Sequence, residues 1–155
     1  LGPGKNVVPK DTPDQDGPIR RVIIGWHPVC GGIGRFLNNF GGFPRKAQHW
    51  AVFVGDYYHE LSSDADLNIL YQNGKIEDEV FEYQDAGYTH FNDQAIVDAG
   101  MLLVAFLAIK QMDPEYRLMD NNCQKFSIYL MEKICLAGRV RFDTSYAPSQ
   151  SVVLP

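Results

Sequence analysis

The chain predicts an α+β fold, an antiparallel sheet with its helices grouped after it, and three observations carry that prediction. Five β-rich segments crowd the stretch from residue 20 to residue 83, and no long helix interrupts the last four of them. A long apolar helical segment then spans 94–111, and a shorter amphipathic one follows Cys123. Finally, 155 residues with 45% hydrophobic content are enough for one domain that buries its own core, so no second unit is needed to explain the pattern.

Residues 1–18 hold four prolines, three glycines and three aspartates with little to bury, and are expected to form an extended arm. The domain proper is expected over 19–146, with an irregular tail at 147–155. The first strand candidate is 20–26, where Val22, Ile23 and Ile24 give β-branched weight. His27-Pro28 and the Gly31-Gly32 pair break it into a loop, followed by one or two helical turns within 33–40. His49 to Val54 reads as a central strand, Gly55-Asp56 as hairpin turn chemistry, and 57–61 as the return strand. Segments 67–71 and 79–83 complete the set, the former closed by Asn73-Gly74, a strong turn signal.

Asn92-Asp93 is placed to cap the long helix over 94–111, whose apolar residues cover nearly all sides and predict a helix sunk in the core. Pro114 stops it, and 115–119 forms an extended link. A second helix then opens within Asp120-Asn121-Asn122-Cys123 and presents Phe126, Leu130 and Ile134 at i, i+4, i+8. Ala137-Gly138 ends it, and 140–142 is a last strand candidate.

Composition excludes several classes of function. A net charge of −5 argues against a broad nucleic-acid surface, which needs a basic stripe. The longest apolar run, 99–109, is too short to span a bilayer. Three cysteines, Cys30, Cys123 and Cys135, cannot all pair, so a reduced, cytoplasmic setting is the simpler expectation. Leu1 is not an initiating methionine, and secretion stays open for that reason. His27 and Cys30 have a spacing that metals use, but no second close pair follows, so neither a metal nor any other cofactor is expected.

Cys123 is the residue best placed for chemistry. In the first turn of a helix it lies near the positive end of the dipole, which favours the thiolate, the nucleophilic form. A thiolate nucleophile needs a base and a group that orients the base. His49, at the start of the central strand, is the best base available. The third residue depends on hairpin register. A two-residue Gly55-Asp56 turn puts Glu60 on the face of His49, and a three-residue turn puts His59 there instead. The twist of two-residue turns favours Glu60, with His59 as the alternative.

These residues together resemble a known family. A strand opening His49-Trp50-Ala51, then Val54-Gly55-Asp56, a tyrosine-rich return strand, and Asn121-Asn122-Cys123-Gln124-x-Phe126 opening a helix are similar to the lecithin–retinol acyltransferase-like proteins. Those form part of the circularly permuted branch of the papain-like superfamily, alongside the NlpC-type cell-wall peptidases. The histidine strand preceding the cysteine helix is the permuted order. Uncharacterised fungal members look closest, through Gly87-Tyr88-Thr89 before the long helix. The resemblance covers residues 47–134. It implies a permuted papain-like fold, a Cys123–His49 dyad and a polar third residue, often a second histidine. Aligning Leu61 with the family's leucine puts Glu60 at that position. Cys123-Gln124-Lys125 stands where the lipid acyltransferases have Cys-Glu-His, which turns the expectation away from a lipid substrate.

The expected activity is therefore that of a cysteine hydrolase or acyltransferase, acting on an amide, ester or thioester through an acyl-cysteine. The backbone N–H of Cys123 is a candidate oxyanion donor, with the Gln124 and Asn122 side chains as further candidates. Trp50, Phe53 and Tyr57 are candidate linings of a substrate pocket, and the glycine-rich loop 30–42 is a candidate border of the cleft. Two alternatives stay open at this point: a cysteine peptidase or deamidase of the same fold, and a non-catalytic interaction module. The partners expected are acyl, ester or peptide-like substrates, and no nucleic acid.

Overall fold

The computed structural model describes residues 4–28, 48–66, 68–76, 82–111 and 122–142. Among these residues, five strands form one sheet: β1 (Arg20–Pro28), β2 (Gln48–Val54), β3 (Tyr57–Ser63), β4 (Ile69–Lys75) and β5 (Glu82–Thr89). Two helices follow among them, α1 (Asp93–Gln111) and α2 (Asn122–Ile134). The strand order is β4-β3-β2-β1-β5 and every pairing is antiparallel, so the fold is α+β. His27 and Pro28, expected to open a loop, instead extend β1 and pair with His49 and Gln48. The rest of that loop with Cys30, the helical turns expected within 33–40, the 115–119 link and the tail 147–155 lie outside the described residues.

The sheet carries apolar side chains on both faces because its residues alternate. Val22, Ile24, Val52, Val54, Leu61 and Tyr71 belong to the main core, together with Ile96 and Leu107 of α1 and Phe126, Leu130 and Ile134 of α2. The opposite face has a smaller cluster of Ala51, Phe53 and Tyr58, flanked by Ile23 and Ile76. Helix α2 lies on β2 and β3, and α1 on β3 and β4.

Two strand expectations are corrected. The fourth strand does not close at Asn73-Gly74 but runs on to Lys75. Asn73 is buried, and its amide donates to Asn6 Oδ1 and to the Tyr71 hydroxyl. Gly74 lies under the Tyr58 ring, where a Cβ would come within 2.5 Å of the phenol oxygen. Packing thus placed this Asn-Gly pair in a strand, against its local preference for a turn. The fifth strand lies at Glu82–Thr89 rather than 79–83. Its register against β1 slips between Val22 and Ile23, a bulge that breaks the alternation by which such a strand is read.

Helix α1 starts as expected: Asn92 Oδ1 accepts the N–H of Ala95 at 2.9 Å, the geometry of an N-cap. It is not sunk in the core all round. Ile96, Ala99, Val104 and Leu107 face inward, while Leu102, Phe106 and Ile109 are exposed. The sheet and α2 cover only part of its circumference. The final expected strand, 140–142, reduces to isolated pairing along β5, where Leu136 donates to Tyr88 O and Val140 to Ala86 O. Thr89 ties this region to α2, its hydroxyl donating to Ile134 O at 2.6 Å and accepting the Phe91 N–H at 3.0 Å.

The N-terminal arm is extended and docked. Gly4 donates to Tyr71 O, and Lys5 O accepts from Asn73 N–H, along the outer edge of β4. Further on, Asp14 and Asn92 exchange hydrogen bonds, and Gly17 donates to His90 O. The arm therefore runs from the outer strand to the start of α1, and Val8 is buried on the way. No helix among the described residues is long and apolar enough to cross a membrane.

Candidate active site

The β2–β3 hairpin sets the geometry of the site. Val54 pairs with Tyr57, so Gly55-Asp56 is a two-residue turn, and Gly55 takes φ 60°, which glycine adopts without a Cβ penalty. Ala51 then stands opposite Glu60, and their side chains share one face. His49, two residues earlier on β2, points to that face as well. Its Nε2 meets Glu60 Oε2 at 2.6 Å. The β2–β3 ladder ends at Ala51–Glu60, although β2 continues against β1 as far as His49 and Gln48.

Beyond the end of that ladder, the start of α2 meets β2. Cys123, in the first turn, hydrogen-bonds His49 through its sulfur, and the backbone N–H groups of Trp50 and Gln124 also donate to the sulfur. Since Nε2 of the imidazole is engaged by Glu60, Nδ1 is the nitrogen left for the thiol. Three groups on three elements thus form a line, Cys123–His49–Glu60.

Burial opposes charge on both partners of this line, and the hydrogen bonds between them outweigh it. Desolvation alone would push the Cys123 thiol up, but the bond to His49, the charge of the imidazolium and the two backbone donors hold it below the ordinary thiol value. Desolvation alone would push His49 down, but Cys123 and Glu60 raise it to about 10. The arrangement therefore favours the thiolate of Cys123 and the imidazolium of His49 relative to the isolated groups, with the Glu60 carboxylate behind them.

His59, the alternative third residue, points to the other side of the sheet and is fully buried there. Its Nδ1 lies 2.7 Å from the Tyr71 hydroxyl, and its ring stacks on the Tyr71 ring. Its Nε2 has no hydrogen-bond partner among the described residues, and burial together with Arg20 lowers its pKa to about 3. Register alone separates the two neighbours: Glu60 stands at His49 and His59 in the core.

The expected pocket residues do not converge. Trp50 is buried in the main core, with its indole N–H lacking a partner among the described residues. Phe53 is buried in the small cluster on the opposite face. Tyr57 packs at the turn end of the hairpin, away from His49. Gln124 is fully buried and serves the sulfur through its backbone N–H. The Asn122 side chain and Cys30 lie outside the described residues. Cys135 is half-buried beside Gly87, and burial pushes its thiol up to about 11. Among the described residues, no group of three or more His, Cys, Asp or Glu is arranged to hold a metal.

One participant was missed in the sequence. Gln72 on β4 stands opposite Glu60 and donates from Nε2 to Glu60 Oε1 at 2.5 Å. Reading Asn73-Gly74 as a turn put Gln72 beyond the strand and hid this pairing. Comparison of the chain with protein-family models, with curated proteins and with solved structures returns no match.

Proposed function

We propose that this chain is a cysteine-dependent hydrolase or acyltransferase, acting on an amide, ester or thioester through an acyl group carried on Cys123. The observation that supports it is the double engagement of His49, with the Cys123 sulfur on one side and the Glu60 carboxylate on the other. A nucleophile, a base and a group that orients the base meet here from α2, β2 and β3. The frame we infer is the circularly permuted papain-like one; its support is the α+β layering and a histidine strand that precedes the cysteine helix.

In this mechanism the Cys123 thiolate attacks the carbonyl carbon, forming a C–S bond and moving an electron pair onto the oxygen. The N–H groups of the first turn of α2 are the donors available to that oxyanion. Collapse of the intermediate expels the leaving group, which takes the proton from His49. A thioester and a neutral imidazole remain. His49 then accepts a proton from water, an alcohol or an amine as that acceptor attacks the thioester, and the thiolate leaves. Glu60 holds the ring orientation throughout and stabilises the imidazolium at both ends of the cycle.

The test is intact mass spectrometry after incubation with a panel of activated esters, acyl thioesters and peptides. The expected result is an acyl adduct that maps to Cys123 and is absent from Cys123→Ala. Equal adduct on all thiols, with no dependence on His49, would overturn the proposal.

A further inference from the structure

The orienting carboxylate is itself oriented. Glu60 and Gln72 are directly opposed across the β3–β4 ladder, so their side chains rise from the same face and touch. A carboxylate only accepts hydrogen bonds, which fixes the Gln72 amide with its nitrogen toward Glu60 Oε1. Both oxygens of Glu60 are then engaged, one by His49 and one by Gln72. Glu60 is buried, so losing either bond leaves a desolvated oxygen without its partner.

Gln72 in turn is clamped from the outer side. The N-terminal arm bonds to the residues on both sides of it, Gly4 N–H to Tyr71 O at 2.7 Å and Asn73 N–H to Lys5 O at 2.9 Å. Asn73 adds its side chain, accepting from Val7 N–H and donating to Asn6. Gly4 sits so close that a Cβ there would approach the Gln72 Cβ to 3.0 Å. The arm thus lies along β4 at the point where Gln72 leaves the strand toward Glu60.

We propose that Gln72 is a positioning residue of the Cys123–His49–Glu60 site, holding the Glu60 carboxylate against His49, and that the N-terminal arm holds Gln72 in place. This inference rests on the reading of that site given above. It describes one lateral chain of contacts, from the arm through β4 and β3 to β2, which couples the position of residues 4–5 to the state of the imidazole.

The experiment follows the His49 ring by NMR titration in full-length chains that all carry Cys123→Ala, so that no thiol titrates beside it. The parent is compared with Gln72→Met, which keeps the length and removes the donor, with Glu60→Gln, and with the double variant. Thermal melts identify any variant that fails to fold, and Gln72→Ala serves in place of Gln72→Met in that event. A carboxylate no longer held against His49 weakens the hydrogen bond and charge interaction that raise the imidazole, a loss of roughly one pKa unit. The expected result is a fall of about that size in the His49 pKa of Gln72→Met, a larger fall in Glu60→Gln, and no additional fall in the double variant.

A Gln72→Met titration that coincides with the parent, beside a clear shift in Glu60→Gln, overturns the role of Gln72 and leaves the site reading intact. Additive shifts in the double variant overturn it as well, because Gln72 would then act without Glu60. A Glu60→Gln chain that titrates like the parent defeats the site reading, and this inference with it. For the arm, Gly4→Val is expected to shift His49 in the same direction as Gln72→Met. A Gly4→Val chain that melts normally and titrates like the parent overturns the arm's part.

Discussion

Acid should weaken this fold through one histidine outside the candidate site. His59 is fully buried between the sheet and the helices. Tyr71 Oη already accepts a hydrogen bond from Asn73 Nδ2 at 3.0 Å, so its own O–H is best used toward His59 Nδ1. That leaves the imidazole neutral, with its remaining N–H on Nε2, which has no partner among the described residues. Burial and the nearby Arg20 hold its pKa at about 3, against 6.5 for a free histidine. The unfolded chain therefore takes up a proton near pH 6.5 that the folded chain refuses until about pH 3. Stability from this residue is complete above pH 6.5 and is lost as the pH falls through that window.

Integrating the difference gives a loss of about 2 kcal/mol at pH 5 and about 3 kcal/mol at pH 4, relative to neutral pH. Such amounts are a large share of the roughly 5–15 kcal/mol that holds a domain together. The assay is urea unfolding of the parent and of His59→Gln at pH 7.5, 6 and 5, since glutamine offers Tyr71 an acceptor and does not titrate. In the same range the lowered Cys123 contributes a slope of the same sign and the raised His49 one of the opposite sign, and both are common to the two chains, so the quantity to read is the difference between them. The parent is expected to lose about 2 kcal/mol more than the variant between pH 7.5 and pH 5. Parallel losses in the two chains would refute the argument.

Three further outcomes test the site. With Cys123 lowered and His49 raised to about 10, acyl transfer to Cys123 should reach its plateau at a lower pH than an ordinary thiol does and decline as the pH rises through about 10, where the imidazolium that protonates the leaving group is lost; a rate that climbs steadily to pH 9 would indicate an ordinary thiol. Glu60→Gln should lower turnover by roughly ten- to a thousandfold while His59→Gln, compared at equal folded fraction, should change it by less than about threefold; the reverse order in steady-state assays would place the third role on His59. Iodoacetamide at neutral pH should label Cys123 well before Cys135, whose thiol is pushed up to about 11; peptide mapping of the label decides it, and Cys135→Ser should keep full activity.

Much of this site was legible in the amino-acid order. Strand alternation and the twist preference of two-residue turns were enough to favour Glu60 over His59, and the hairpin has that register. A cysteine at the start of an amphipathic helix and a histidine at the start of a β-rich segment were visible as types and positions, because capping and periodicity are local properties. The α+β class followed from the same local signals. Pocket membership was not legible: Trp50 and Phe53 alternate to opposite faces, and the two faces belong to separate clusters.

The sequence by itself determined which elements form and which residues can ionise, since propensity, capping and turn chemistry act over a few neighbours. Only the tertiary structure decided what those groups meet. It carried β4 through Asn73-Gly74, because the Tyr58 ring needs the space above Gly74 and the arm needs the Asn73 amide. It thereby set Gln72 opposite Glu60 and brought the start of α2 to the end of the β2–β3 ladder. It also gave His49 and His59, one chemical group with one ordinary pKa, values of about 10 and about 3. Both histidines lose water on folding, but His49 gains two partners that favour its charge and His59 gains none.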